Sequence, residues 1–324
     1  MTQKEVALLK KVFKKAKTIL LTTHRNPDGD GVGSGVGLMS MLLKFGKKID
    51  FVTRDPVPFI YNFLPYYNKI KKLNAVKKKY DVVVFLECPD KDRNGKIIDF
   101  KKNAKLTVNI DHHLGNTKYA DINIIDSEAS AVGMQLFEFF KKAGWKIDLN
   151  TAIGLYTAII TDTGSFNFAN TTPQVHNVVA ELIEMGVKPS FVSSNVYATS
   201  FASTKLMSLM LSKIKIQNGI GFSVLTRKMF EKTGAQDSET DNFINLIRNI
   251  RTVKIAVLFK EYGPKVIKVS FRSKTGFDVN RVASIFDGGG HKYAAGCIIH
   301  KNLKETISIV LSTIKKQYRK LLNQ

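Results

Sequence analysis

Thr18-Ile-Leu-Leu-Thr-Thr-His24-Arg-Asn-Pro27-Asp28-Gly-Asp30-Gly-Val-Gly-Ser34 passes from an apolar run through a polar, glycine-rich turn into a helical pattern. The run at 18–23 reads as a buried strand, residues 32–46 as a glycine-punctuated helix, and Lys48 to Thr53 as a second strand. In open α/β sheets such a turn lies beyond the carboxyl end of a strand, where ligands are held. Upstream, Val6 to Phe13 has the spacing of a short amphipathic helix. Downstream, Asp81 to Leu86 and Leu106 to Ile110 are short apolar runs, as expected of parallel strands covered on both faces. Helical periodicity follows at Ala129 to Lys142, Leu149 to Ile160 and Gln174 to Met185. This alternation predicts an α/β domain over residues 1–190, a doubly wound and mostly parallel sheet.

The remainder has a different rhythm. Asn218-Gly219 between Ile214–Ile216 and Gly221–Leu225 is a strong hairpin signal. A second hairpin is expected from Val253 to Phe259, a turn at Tyr262-Gly263-Pro264, and Val266 to Arg272. With helices at 239–248, 278–286 and 303–322, residues 205–324 read as a smaller α+β domain. Residues 191–204 lack the composition of a flexible tether and are expected to be a helical connector.

A chain of 324 residues, 44% hydrophobic and 24% charged, suits two soluble domains. No apolar run is long enough to span a membrane. Lys interrupts the apolar positions of the first twenty residues, unlike a secretory leader, so a cytoplasmic location is expected. Two cysteines, Cys88 and Cys297, build neither a disulfide framework nor a thiolate cage. The net charge of +23 is carried mainly by dispersed Lys, since nine of the 50 basic residues are Arg. That pattern suits solvated faces more than a dedicated nucleic-acid groove, while permitting a polyanionic substrate.

Chemistry concentrates in a few motifs. His24, Asp28 and Asp30 place one imidazole and two carboxylates within seven residues. On an extended loop the two carboxylates can diverge toward two cations; the plainer reading is a turn with Asp30 or Ser34 capping a helix. Asp111-His112-His113 follows another apolar run. Adjacent residues in a β context point oppositely, so one His can ligate a metal and the other face a substrate. Asp111 can orient an imidazole, and a polar surface turn is the alternative. Asp162 ends an apolar helix, where the dipole disfavours an acid and a nearby cation would compensate. Carboxylates mixed with imidazoles favour Mn²⁺, with Mg²⁺ or Co²⁺ as alternatives. Two such ions would activate water and clamp a phosphoryl group. Further on, Ser270-Phe-Arg272-Ser273-Lys274 precedes Gly288-Gly289-Gly290-His291-Lys-Tyr-Ala-Ala-Gly296. The glycines read as a backbone cradle for a terminal phosphate, with Arg272 adding a bidentate grip.

His24-x-x-Pro-Asp28-x-Asp30, Asp111-His112-His113 and Gly288-Gly-Gly-His291-x-x-Ala-Ala-Gly296 together resemble the DHH–DHHA1 phosphoesterases, in the family's motif order and over essentially the whole chain. The compact length is most similar to the nanoRNase and pAp-phosphatase type. The resemblance implies an active site in the cleft between the domains. It implies one Mn²⁺ on His24, Asp28 and the family's second-motif acid, and another on Asp30, that acid, His112 and Asp162. His113, with Asp111 beside it, would contact the phosphate or act as acid. Arg272, Ser273, Gly288, Gly289, Gly290 and His291 would hold the far phosphate and nucleoside. Implied substrates are RNA of two to five nucleotides, cleaved to mononucleotides, and adenosine 3′,5′-bisphosphate (pAp), converted to AMP; a homodimer is implied as well.

One position departs from the family. Its second-motif acid is an Asp after an apolar strand, and Glu87 stands there in Leu86-Glu87-Cys-Pro-Asp90-Lys-Asp-Arg93, with Arg93 at the expected spacing. Glu keeps the charge and adds a methylene. It can bridge, chelate one ion, or leave Asp90 to contribute. The rival readings are a cyclic di-AMP or pApA phosphodiesterase, a pyrophosphatase, and a metal-poor protein that binds nucleotides or RNA without cleaving them.

Overall fold

Six parallel strands build the first sheet of the computed structural model: β1 (Thr18–Thr22), β2 (Lys48–Thr53), β3 (Ile70–Lys72), β4 (Val82–Leu86), β5 (Thr107–Asp111) and β6 (Ile122–Ile125). The structure describes residues 1–72, 76, 79–95, 100–274 and 276–322. The strand order β3-β2-β1-β4-β5-β6 reverses direction between β1 and β4. That reversal is the switch point at which doubly wound sheets open a crevice beyond the strands' carboxyl ends. β4 is buried at all five positions, which explains its uninterrupted apolar composition. The edge strands β3 and β6 are too short to have left a periodic signal.

The helices of this unit are α1 (Gln3–Lys15), α2 (Gly29–Lys44), α3 (Phe100–Asn103), α4 (Val132–Ala143), α5 (Leu149–Asp162), α6 (Pro173–Glu184) and α7 (Pro189–Val196). A capping box of Thr2 and Glu5 starts α1, which buries Val6, Leu9 and Phe13. One large core joins these residues to Ile19, Leu21, Val84 and Ile110 of the sheet and to the inner faces of α2, α4, α5 and α6. Leu20, Val52, Val83 and Phe85 face the other way, under Tyr80, Cys88 and Tyr119.

The glycines of α2 let helices meet at backbone distance. A β-carbon on Gly33 would lie 2.5 Å from the Gly154 carbonyl oxygen, and one on Gly154 would lie 2.7 Å from that of Gly33. Backbone of two packed helices cannot step aside as a side chain can. Gly154→Ala is therefore expected to cost about 3 kcal/mol, the upper part of the overpacking range, read as a lower urea midpoint at unchanged slope. An unchanged midpoint would show that α2 and α5 can separate freely.

The chain divides into two units, Met1–Ala198 and Thr199–Gln324. Residues 191–204 carry the end of α7 and the start of α8 (Phe201–Leu211). The second unit continues with β7 (Lys215–Gln217), β8 (Ile220–Leu225), α9 (Arg227–Thr233), α10 (Phe243–Arg248), β9 (Ile255–Gly263) and β10 (Val266–Ser273). It ends with α11 (Val279–Ser284), β11 (Gly289–His291), β12 (Ala294–Ile299) and α12 (Leu303–Leu322). Its sheet runs β11-β12-β10-β9-β8-β7, antiparallel except for the β8–β9 pair. Asn218 and Gly219 both have positive φ, 49° and 76°, as the tight turn between β7 and β8 requires. One side of the sheet packs on α11 and α12, the other on α8, α9 and α10.

Candidate metal centre

Three strand ends at the switch point carry the polar motifs. His24 stands just past β1, Glu87 directly after β4, and His112 and His113 directly after β5. Asp28 caps α2, its Oδ1 accepting from Gly31 N–H at 3.0 Å. Asp30 is inside α2 and not on an extended loop; it diverges from Asp28 because successive helical residues turn by about 100°. Asp162 is the last residue of α5.

These side chains form three groups in which the candidate donor atoms all lie within 4.8 Å of one another: His24, Asp28 and Glu87; Asp30, His112 and Asp162; and Glu87, His112 and His113. Glu87 belongs to two of them. His112 and His113 do not diverge as a β context would require. Both lie past the end of β5, where alternation stops, and their ring centroids are 5.2 Å apart.

Each imidazole is held through the same nitrogen. Nδ1 of His24 lies 2.6 Å from the Arg25 carbonyl oxygen, and Nδ1 of His112 lies 3.1 Å from that of Ala129. A carbonyl only accepts, so Nδ1 donates and Nε2 carries the lone pair in the neutral ring. Nε2 of His24 faces Glu87 at 3.1 Å and Asp28 at 3.6 Å. Nε2 of His112 faces Asp162 at 3.6 Å and Asp30 at 3.8 Å. His113 Nδ1 is 2.8 Å from Asp111 Oδ1, and Asp111 Oδ2 accepts from Asn116 at 2.6 Å. Outer partners that fix ring orientation in this way are characteristic of metal-ligating histidines.

Burial makes the set electrostatically demanding. Burial and then Asp28 drive Glu87 well above the usual carboxylate range, against the pull of His24. Burial pushes Asp162 up to about 8, with His112 opposing and Asp30 adding to it. For His24 burial opposes the charged ring, but Glu87 and Asp28 outweigh it and raise the pKa well above normal. Carboxylates this crowded and dry favour a compensating cation. The donors are hard oxygens and imidazole nitrogens, which fit divalent ions of the Mn²⁺ and Mg²⁺ kind. Cys88 is no competitor: burial pushes its thiol up to about 12.

The sequence reading missed the supporting shell. Asn109 reaches the Phe85 and Cys88 carbonyls from inside β5, Gln135 donates to the Asp111 carbonyl, and Asn170 donates to the carbonyls of Ser130 and Asp162. The sequence signal for it is an Asn interrupting the apolar run Leu106–Ile110, and the structure buries that Asn completely. Asp90 does not replace Glu87, since its Oδ1 accepts from the Asp92 and Arg93 amides.

In the second unit, register sets Arg272, Ala294 and His291 in one row across β10, β12 and β11. Direct partners share a face, so Arg272 and His291 flank Ala294 with about 10 Å between their strands. The neighbouring row on that face is Ser270, Gly296 and Gly289, giving a floor of small residues. Ser273 is not brought to this face. The pleat turns it to the buried side, where its hydroxyl donates to the Phe277 carbonyl at 2.6 Å. Nor is the glycine run an open cradle. Gly288 N–H donates to the Ala283 carbonyl, and a β-carbon there would lie 2.3 Å from the Gly296 carbonyl oxygen. Gly289 and Gly290 belong to β11. The side chains of Arg272 and His291 are the cationic or imidazole groups this row presents. Burial lowers the Arg272 pKa and Arg248 adds to the effect, with the Asp241 carboxylate opposing both.

Comparison with known proteins agrees with both units. The DHH family N-terminal domain matches residues 18–159, and the DHHA1 domain matches residues 221–319. The bifunctional oligoribonuclease and PAP phosphatase NrnA of Bacillus subtilis is 30% identical, over 93% of this chain and 96% of its own. The protein of that name from Thermus thermophilus is 29% identical, over 92% and 90%. An exopolyphosphatase-related protein from Bacteroides fragilis has a similar structure, with a TM-score of 0.93 and 25% identity over 100% of this chain and 98% of its own.

Proposed function

Because this chain belongs to the DHH–DHHA1 phosphoesterase family, we propose that it is a two-metal, Mn²⁺-dependent hydrolase of very short oligoribonucleotides that also removes the 3′-phosphate of pAp. The carrying observation is the convergence of His24, Asp28 and Glu87, and of Asp30, His112 and Asp162, into two adjoining ligand groups. The names of the Bacillus and Thermus relatives support the substrate class.

In this reading His24 and Asp28 would hold one ion, Asp30, His112 and Asp162 would hold the other, and Glu87 would serve both. When bound, such a pair supplies a Lewis acid for the phosphoryl group and lowers the pKa of water. The protein's own groups do the rest. Asp111 holds Nδ1 of His113, so His113 Nε2 presents one defined atom to the leaving oxygen, to which it donates a proton. Arg272 would grip a substrate phosphate bidentately, with the small residues Ala294, Gly296 and Gly289 on the same face of its sheet. The names of those relatives are the support for preferring very short oligoribonucleotides and pAp over long strands.

The test is release of mononucleotides and orthophosphate from pApA, cyclic di-AMP, RNA of graded length, pAp and pyrophosphate, in Mn²⁺ and then Mg²⁺. Fast Mn²⁺-dependent turnover of dinucleotides and pAp is the expected result. Equal processive rates on long strands would sink the length preference. Nucleotide binding without turnover in any divalent ion would favour a binding protein.

A further inference from the structure

Glu87 is held in an uncommon backbone conformation, with φ of 53°, and is 3% exposed. The left-handed region admits Asp or Asn more readily than Glu. Its N–H donates to the Ile110 carbonyl at 3.0 Å, and its Oε2 lies 3.1 Å from His24 Nε2. Across from that oxygen is Gly31, inside α2. A β-carbon on Gly31 would lie 2.9 Å from Glu87 Oε2 and 2.2 Å from Thr23 Oγ1. Neither distance is available to a real side chain. Gly31 is not needed for the path of the backbone, since it has no positive φ. Inside a helix, glycine costs about 1 kcal/mol relative to alanine. The helix gains nothing from glycine here; the neighbouring space does.

We propose that Gly31 is a positioning residue for Glu87, its missing methyl being the space that lets the longer carboxylate reach the shared position of the metal centre. This rests on the reading of His24, Asp28, Glu87 and His112 as metal ligands. Glu is one methylene longer than Asp, and the surplus length has to go somewhere. Glu87 joins the His24–Asp28 group to the His112–His113 group. A methyl at position 31 pushes its carboxylate away from both, and a misplacement of about 1 Å at a reacting centre costs on the order of 100-fold.

The experiment is a double-mutant cycle between Gly31→Ala and Glu87→Asp in the full chain. It is run in a Thr23→Ala background, which removes the Oγ1 at 2.2 Å and leaves the Cβ at 3.1 Å as a contact common to both Gly31→Ala arms of the cycle. Thr23 is wholly buried and its hydroxyl has no hydrogen-bond partner among the described residues, so that background is expected to fold. The readouts are Mn²⁺ affinity by calorimetry and the thermal midpoint of chelator-treated protein. Gly31→Ala alone is expected to weaken Mn²⁺ binding about tenfold or more and to lower the midpoint. In the presence of Glu87→Asp the same methyl is expected to change affinity by less than about threefold, because the shorter carboxylate has left the space. Additive losses overturn the proposal. Should the Gly31→Ala variant fail to fold, folding of the variant that also carries Glu87→Asp is the same rescue, and its failure overturns the proposal. If the unmodified chain binds no Mn²⁺, the proposed function fails, while the metal-free midpoints still decide whether Gly31 and Glu87 are coupled.

Discussion

Asp162→Asn is expected to lower kcat/KM on dinucleotides about 10³-fold or more while leaving the protein folded. Losing a group that merely supports a metal ligand costs about 10–100-fold, and Asp162 is proposed as a ligand itself. The substitution is also clean. Its carboxylate has His112 as its ion-pair partner, at 3.6 Å, and Asn170 bonds to its backbone carbonyl, which Asn retains. Asp30 offers no such clean test. It accepts from Ser34 Oγ and from the Val132 and Gly133 amides, so Asp30→Asn faces a donor with a donor and costs about 1–3 kcal/mol of stability.

The metal-free protein gives Asp162→Asn a second readout. The folded carboxyl titrates at about 8, above its unfolded value. Stability is therefore lost as pH rises from the ordinary carboxylate range toward about 8, where the folded protein finally releases the proton. Asn has no proton to lose. The midpoints of chelator-treated wild type and variant are expected to converge near pH 4 and to separate in the variant's favour by pH 8. A constant gap across that range would show that Asp162 is ionised throughout.

His113→Ala is expected to lower kcat by about 10²–10⁴-fold, the range of a lost general acid, with Mn²⁺ affinity unchanged. Both expectations follow from its two nitrogens. Nδ1 is engaged by Asp111, which leaves Nε2 as the working atom. Since His113 also lies in a potential ligand group with Glu87 and His112, calorimetry decides between roles. A tenfold loss of Mn²⁺ affinity in His113→Ala would make it a ligand and remove it as the acid. Asp111→Asn acts on the same ring through orientation and is expected to cost less, about 10–100-fold in kcat.

Much of this was open to reading from the chain alone because it is local. Apolar runs of five residues between helical stretches state a parallel α/β sheet by their own periodicity. Asn218-Gly219 states its turn because few residues accept positive φ twice in succession. His24, Asp28, Asp30 and Asp111-His112-His113 carry a recognisable pattern in one dimension. The face occupied by Ser273 was equally local, since pleat alternation beside Arg272 already turns it inward.

What no stretch of sequence states is which ends of the chain meet. Glu87 stands 63 residues from His24, and they touch because β1 and β4 are sheet neighbours across the switch point. The choice of Nε2 on His24 and His112 depends on carbonyls whose positions come from loop geometry. Gly288 reads as a phosphate cradle until the strand beside it fills the space. Gly31 is one more glycine in a glycine-rich turn until Glu87 arrives from another strand within 3 Å of its absent methyl. Periodicity and turn chemistry act between neighbours in sequence. Ligand convergence and steric room act between neighbours in space, and these exist only once the strand order has closed the distance.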